Sequence, residues 1–295
     1  MSPKRRATNS KPLLAVDAPS MLFRAFYALP DSIKGADGRP VNALLGAANL
    51  ILREVEEHDP RAVVLCFGPD AADYRVELFD GYHAERPEVP DDLVPQFAAS
   101  GDFFEAFGWT VTNHASLEAD DLLGSYARGE TKAGGTALLL TGDRDMFQCA
   151  GEGVTVLYVS TKIKGGAERV GPAEVEARYG IGPELVPDFI ALRGDPSDGI
   201  PGAKGVGEKG AAELLREYGS LEALLDGALR ITRPKLRTTL VDSRDELLGF
   251  KDIATLRDSG SELPPDSELD KAGAAAAARE HGMNRLAERL EAWGG

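Results

Sequence analysis

The sequence predicts an α/β fold with a mainly parallel central sheet flanked by helices, followed by a smaller helical region. Three observations carry this. Strand-length apolar segments alternate with helical stretches up to about residue 158; from Pro172 the pattern changes to short helices separated by glycine; and acidic residues gather where the strands end.

Along the chain, residues 1–11, with Lys4, Arg5, Arg6 and Lys11, have no apolar stretch and read as a disordered basic tail, not a leader. Segments 12–16, 62–67, 110–113, 136–140 and 154–158 read as buried strands of a core spanning 12–171. In such a sheet ligands bind beyond the carboxyl ends of the strands. Segment 77–100 carries Pro87, Pro90 and Pro95, mixes Tyr82, His83 and Arg86 with acids, and is too long for a simple loop. It is expected to form a mobile cover over the strand ends, the alternative being an ordinary surface helix. Residues 172–257 read as a helical domain, with Pro172, Pro183 and Pro201 starting or breaking its helices. The run DSGSELPPDSEL reads as a linker before an Ala-rich amphipathic helix ending near Trp293, so that 258–295 packs on the core.

The longest apolar runs fall far short of the ~20 residues a membrane helix needs, so no membrane association is expected. Cys66 and Cys149 lack metal-type spacing and read as buried free thiols. A net charge of −15 argues at first against nucleic acid as partner. The objection weakens if part of the acid excess sits where divalent cations bind, because metal-bound carboxylates no longer repel phosphate.

The acids form four groups. Asp17 ends LLAVD; Glu118, Asp120 and Asp121 lie in EADD at a helix start; Asp143 and Asp145 lie in TGDRD past a strand; Asp195 and Asp198 lie in GDPSDGIPG. Each alone is explained by the preference of Asp and Glu for helix starts and turns. Three groups at one sheet edge would repel one another unless cations sat between them. Carboxylates without nearby His or Cys ligands select Mg²⁺ or Mn²⁺, and two such ions ~4 Å apart suit phosphodiester hydrolysis.

GIPGAKGVGEKGAAELLREYG places a tight turn, Gly202 to Gly207, before a helix from about Glu208 to Tyr218. Bare backbone and a helix N-terminus allow close approach of a phosphate, and Lys204 and Lys209 add charge. A structural helix-turn-helix explains the turn alone equally well. Its place directly after Asp198 favours a duplex grip. Arg230, Arg233, Lys235 and Arg237 add a basic stretch, either a solvated face or further phosphate contacts.

The ordered motifs LAVDAPSMLFRAFYAL, EADDLLG, TGDRDMFQ and GDPSDGIPGAKGVGEKGA resemble those of the bacterial and phage 5′ nuclease family: flap endonucleases and the N-terminal 5′–3′ exonuclease domain of DNA polymerase I. The resemblance covers roughly residues 13–255. It implies a PIN-like core, an arch admitting the 5′ strand, and a helix-hairpin motif of helix-3-turn-helix type. It further implies that Asp17, Glu118, Asp120 and Asp121 serve a first metal and Asp143, Asp145, Asp195 and Asp198 a second, with two or more Mg²⁺ or Mn²⁺ ions in all. Arg24 and Arg75 match positions near the entering strand, and Tyr82, His83 and Arg86 fall in the arch. Gly202, Lys204, Gly205, Val206 and Gly207 match the duplex grip, where family members can hold K⁺, with Lys209 beside it. Substrates implied are DNA with a 5′ flap, nick, gap or free 5′ end, RNA-primed or not. The resemblance also implies a functional link to a separate DNA polymerase and ligase, action as a monomer, and a cytoplasmic, nucleoid-associated location.

Two departures stand out. Where the family has an Asp after the Phe ending its second strand, this chain has Gly68, with Asp70 two residues on. Two extended residues move a side chain ~6.8 Å, so Asp70 substitutes only if Pro69 redirects the backbone, and it is left unassigned. The arch Lys is replaced by His83, mostly neutral at pH 7 unless a phosphate or acid raises its pKa. The rival expectation is a branched-DNA binding protein with weak or lost catalysis. A ribonuclease of the wider PIN class is a third, disfavoured by the hairpin.

Overall fold

The computed structural model describes residues 11–160 and 166–294. Most of the basic tail expected at 1–11 lies outside them, while Lys11 pairs with Asp59 at 2.7 Å. Six strands form one sheet: β1 (Leu13–Asp17), β2 (Ala62–Phe67), β3 (Thr110–Asn113), β4 (Ala137–Thr141), β5 (Val154–Tyr158) and β6 (Glu168–Val170), in the order β3-β2-β1-β4-β5-β6. β1 to β5 are parallel. The short edge strand β6, antiparallel to β5, is absent from the sequence expectation, since a three-residue ERV has no alternation to read.

The helices are α1 (Ala18–Ala28), α2 (Asn42–His58), α3 (Asp73–Leu78), α4 (Val94–Glu105), α5 (Ala119–Lys132), α6 (Pro172–Tyr179), α7 (Val186–Arg193), α8 (Glu208–Tyr218), α9 (Leu221–Asp226), α10 (Pro234–Asp242), α11 (Arg244–Ala254), α12 (Lys271–Glu280) and α13 (Asn284–Glu291). No helix among the described residues is long and apolar enough to cross a membrane.

Every residue of β1 and β4 is buried because both sheet faces are covered, which is why these strands read as continuous apolar runs. Alternate residues serve two cores. Leu13, Ala15, Val64, Leu139 and Val156 pack with α5 and with α6 to α11. Leu14, Val16, Leu65, Leu140 and Leu157 pack with α1, α2, α4, α12 and α13. The helical region from Pro172 therefore shares one core with the sheet.

Two details differ from the sequence reading. The single C-terminal helix is two, α12 and α13, parted at Gly282, whose φ of +76° and close approach to the Ala36 amide leave no room for a side chain. The expected cover at 77–100 is helical at both ends, leaving residues 79–93 as turns and extended chain between α3 and α4. Residues 258–269 cross the back of the core, held by Arg61, which donates to Glu130 at 3.0 Å, the Pro264 carbonyl at 2.9 Å and Asp266 at 3.0 Å.

Chain order runs outward from β1 through β2 to β3 on one side and from β4 to β5 on the other. The strand order thus reverses between β1 and β4. In open α/β sheets the crevice at that reversal, at the carboxyl ends, is where ligands bind.

Candidate active site

A cavity of about 700 Å³ opens at that crevice, lined by Asp17, Glu118, Asp120, Asp143, Asp145 and Asp198, with Arg24, Gly68, Asp70, Arg75, Tyr82, His83 and Arg86 around them. A second cavity of about 550 Å³ shares Asp143 and Asp145 and adds Asp195, Arg144 and Arg193.

Local structure fixes each acid. Asp17 ends β1 and caps α1, accepting from the Ser20 amide at 3.0 Å and from Thr141 Oγ1 at 2.7 Å. Thr141 Oγ1 in turn accepts from the Asp143 amide at 3.0 Å, and Asp143 accepts from the Asp145 amide at 2.9 Å. One threonine hydroxyl thus links Asp17 to the Asp143–Asp145 group. Thr141 was not picked out from the sequence, although its place just before Gly-Asp at a strand end was the available signal. Glu118, the N-cap of α5, accepts from the Ala72 amide at 2.7 Å, from Tyr82 at 3.0 Å and from Arg75 Nη1.

The structure separates two acids from the rest. Asp121, expected with the first metal, does not line either cavity. It is fully buried, closing a capping box with the Glu118 amide and accepting from Tyr74 at 3.0 Å and the Arg257 amide at 2.8 Å. One residue along a helix turns a side chain by about 100°, which takes Asp121 away from the face that Asp120 presents to the cavity. Asp195 reaches only the second cavity, with Arg193 at 2.7 Å on one oxygen and the Ser197 amide at 2.9 Å on the other.

Gly68 is small for a structural reason. A Cβ there would stand 2.3 Å from the Leu117 carbonyl oxygen and 2.8 Å from Glu118 Cα. Asp70 does not replace the missing carboxylate: its side chain is 65% exposed and held by Arg86 at 3.0 Å. His83 adopts φ +55°, rare for a residue with a side chain, stacks on Tyr82 at 3.8 Å, and contacts the Asp70 carbonyl at 2.6 Å and Asp198 at 3.2 Å. Arg86 also reaches Asp198, at 3.2 Å. Arg24 lies across Gly142 and donates to its carbonyl, and a Cβ on Gly142 would collide with the guanidinium.

The charges are strained together. Burial first, then repulsion from Asp198, pushes Asp143 up to about 6. Burial and the charge of Asp143 push Asp120 and Asp145 well above the carboxylate range. Burial raises Asp17 and Glu118, the latter against the pull of Arg75. Burial would raise Asp198 too, but His83 and Arg86 outweigh it and hold it below its ordinary value. Among the described residues, the three metal-capable side chains whose ligand atoms lie within 4.8 Å of one another are Glu54, Glu57 and His58 on α2, outside the cavity. No three of the cavity carboxylates have ligand atoms that all lie within that distance of one another.

Tyr82 both donates to Glu118 and accepts from Arg75 at 3.1 Å. Removing the hydroxyl in Tyr82→Phe is expected to cost about 1 kcal/mol of stability and to slow cleavage about 3–10-fold, as Glu118 loses one of three supports. Thermal melts and single-turnover rates check this, and an unchanged rate would remove Tyr82 from the site.

Buried carboxylates gathered at the switch point of a parallel sheet fit a PIN-like nuclease core, with a glycine-rich helical turn following in the chain. Residues 12–180 match the 5′-3′ exonuclease N-terminal resolvase-like domain, and residues 181–277 match the 5′-3′ exonuclease C-terminal SAM fold. The chain belongs to the 5′–3′ exonuclease family, and it is a 5′ nuclease, a hydrolase. It is 36% identical to a 5′-3′ exonuclease of Streptomyces coelicolor, over 94% of this chain and 98% of that one. It is 34% identical to DNA polymerase I of Rhizobium leguminosarum over 88% of this chain but only 25% of the polymerase, so it spans about a quarter of that relative's length. In fold it is similar to the phage T5 D15 protein co-crystallised with metal ions, at TM-score 0.71 and 14% identity, covering 95% of this chain and 98% of that one. It is also similar to the catalytic core of Rad2 in complex with DNA substrate, at TM-score 0.63 and 16% identity, covering 96% and 92%.

Proposed function

We propose that this chain is a structure-specific, divalent-metal-dependent nuclease that hydrolyses DNA at 5′ flaps and free 5′ ends, releasing products with a 5′-phosphate. The observation that carries this is the convergence of six buried or half-buried carboxylates on one cavity at the β1/β4 crevice. The donor set fits Mg²⁺ or Mn²⁺: it is all oxygen, and its mutual repulsion is what a cation would relieve. Asp17, Glu118 and Asp120 would hold a first ion; Asp143, Asp145 and Asp198 would hold a second, with Asp195 braced behind by Arg193. Ions bound there would lower the pKa of the attacking water and stabilise the leaving oxygen.

The remaining roles belong to the protein. Arg24, held over Gly142, and Arg86, shared between Asp70 and Asp198, present positive charge at the mouth through which a 5′ strand would enter. Arg75 neutralises Glu118 from behind, with Tyr82 keeping the pair in register. At the hairpin, Gly202 and Gly205 have φ of +68° and +83°, and Gly205 and Gly207 have open space where a side chain would stand. Gly202 to Gly207, with Lys204 and Lys209, would grip the duplex through phosphates, with K⁺ as the cation suited to its carbonyls. The similar T5 D15 protein, a flap endonuclease solved also in a complex with DNA and metal ions, supports the substrate class. Action beside a DNA polymerase and ligase on gaps, nicks or RNA-primed ends, as a cytoplasmic, nucleoid-associated monomer, completes the proposal. The domain reading goes with it: core 12–171, arch about 77–100, duplex-binding region 172–257, and 258–295 packed on the core.

A labelled 5′-flap substrate tests the reading. Cleavage is expected with Mg²⁺ or Mn²⁺ and none with EDTA. Tight binding of the flap without cleavage in either metal would leave the branched-DNA binding protein, for which Gly68 and the sequestering of Asp198 by His83 and Arg86 would be the cause.

A further inference from the structure

Arg230, Arg233, Lys235 and Arg237 lie outside both cavities. All four are exposed, and none forms an ion pair with a described residue. Many other arginines hold carboxylates, among them Arg61, Arg75, Arg86, Arg178, Arg193 and Arg244. Four unpaired cations within eight positions, on a chain of net charge −15, do not serve to balance local acid.

The stretch is mounted firmly and joined to the hairpin. Ile231 and Leu240 are buried in the same core as Leu214 and Leu215 of α8, so the cations project from a packed platform. Thr239 Oγ1 of α10 donates to the Lys204 carbonyl at 3.4 Å. Lys235 sits one helical turn before Thr239 and shares its face, toward the hairpin. Lys204 and Lys209 are exposed on the hairpin side. Lys235 therefore continues the hairpin's basic surface, and Arg230, Arg233 and Arg237 add exposed charge on either side of it in the chain.

We propose that residues 230–237 and the exposed face of α10 are a second contact surface for the phosphate backbone of double-stranded DNA, extending the hairpin's grip along the duplex away from the cavity. This rests on the nuclease reading above. Guanidinium and ammonium groups on solvated side chains position a duplex without reading its sequence. Each phosphate they neutralise releases counterions, steepening the salt dependence of binding by about 0.9 in log Kobs against log[salt].

The test uses the whole chain with Arg230, Arg233, Lys235 and Arg237 all changed to Gln. Binding to 5′-flap DNAs with short and long duplex arms is measured by fluorescence anisotropy with Ca²⁺ over a salt series. The salt slope is expected to become shallower by about 2–4 and affinity to fall about 10–100-fold, with the wild-type gain from a longer duplex arm lost. A second variant, Arg230→Lys, Arg233→Lys and Arg237→Lys, keeps the charge and is expected to restore the slope. An unchanged salt slope and arm-length dependence would overturn the proposal, as would failure of the lysine variant to restore them. If wild type binds but never cuts, the nuclease reading fails while the slope still reports on this surface.

Discussion

Asp145→Ala and Asp143→Asn are each expected to slow flap cleavage by about 10³-fold or more while leaving DNA affinity within about 3-fold of wild type. Losing one ligand of a catalytic ion forfeits several kcal/mol of transition-state charge stabilisation. The hairpin and α10, where the duplex would be held, are untouched. Equal loss of binding and cleavage would refute this division. Asp143→Asn has a second expected signature, in stability without metal. Folding raises this carboxyl from 3.8 to about 6, chiefly by burial and then by Asp198. Between those values the folded state binds more protons than the unfolded one, so this group's contribution falls as pH rises from about 4 through 6. The asparagine cannot ionise. In EDTA the variant should therefore melt close to wild type below about pH 4 and above it by about 3–6 °C at pH 7. Mg²⁺ should raise the wild-type melting temperature at pH 7 and narrow the difference. A difference that does not change with pH would show that Asp143 is not held under repulsion.

What the sequence could show follows from how far each signal reaches along the chain. β1, β2 and β4 are buried on both faces, so their apolar runs announce them, and Asp17 and Asp143 follow from where those runs stop. α8 begins at Glu208 and ends at Tyr218, as the Gly207 and Gly219 flanks foretell. The distinctions lost were those made by residues distant in sequence. Asp120 and Asp121 are neighbours of equal chemistry; the helix turns them to different faces, and Tyr74 and Arg257, brought in by packing, hold Asp121 in its cap while Asp120 faces the cavity. Asp195 and Asp198 differ likewise through Arg193 on one and His83 with Arg86 on the other. The absence of a carboxylate at Gly68 was visible at once. The reason for it was not, because Leu117 and Glu118 lie some fifty positions away.

That reason reverses the obvious repair. Restoring the family's carboxylate with Gly68→Asp is expected to lower activity about 10²-fold and stability by about 2–3 kcal/mol, not to raise either. The atoms a new Cβ would meet are the Leu117 carbonyl oxygen at 2.3 Å, Glu118 Cα at 2.8 Å and Glu118 C at 2.9 Å. All are backbone, and none can swing aside as a side-chain tip could. The same backbone leads into α5 and carries Glu118 and Asp120, so any shift that admits the side chain displaces two cavity carboxylates to gain one. Gly68→Ala brings the same Cβ without a charge, and it should show most of the stability loss. If the clash dominates, aspartate and alanine variants melt alike and both cut slowly. If instead Gly68→Asp cuts as fast as wild type or faster while Gly68→Ala is impaired, the cavity has room for a fourth carboxylate beside Asp17, Glu118 and Asp120. In that event the close approach of Leu117 would have to relax once the ligand was present, and the first-metal site would be incomplete in this chain instead of rebuilt around a glycine.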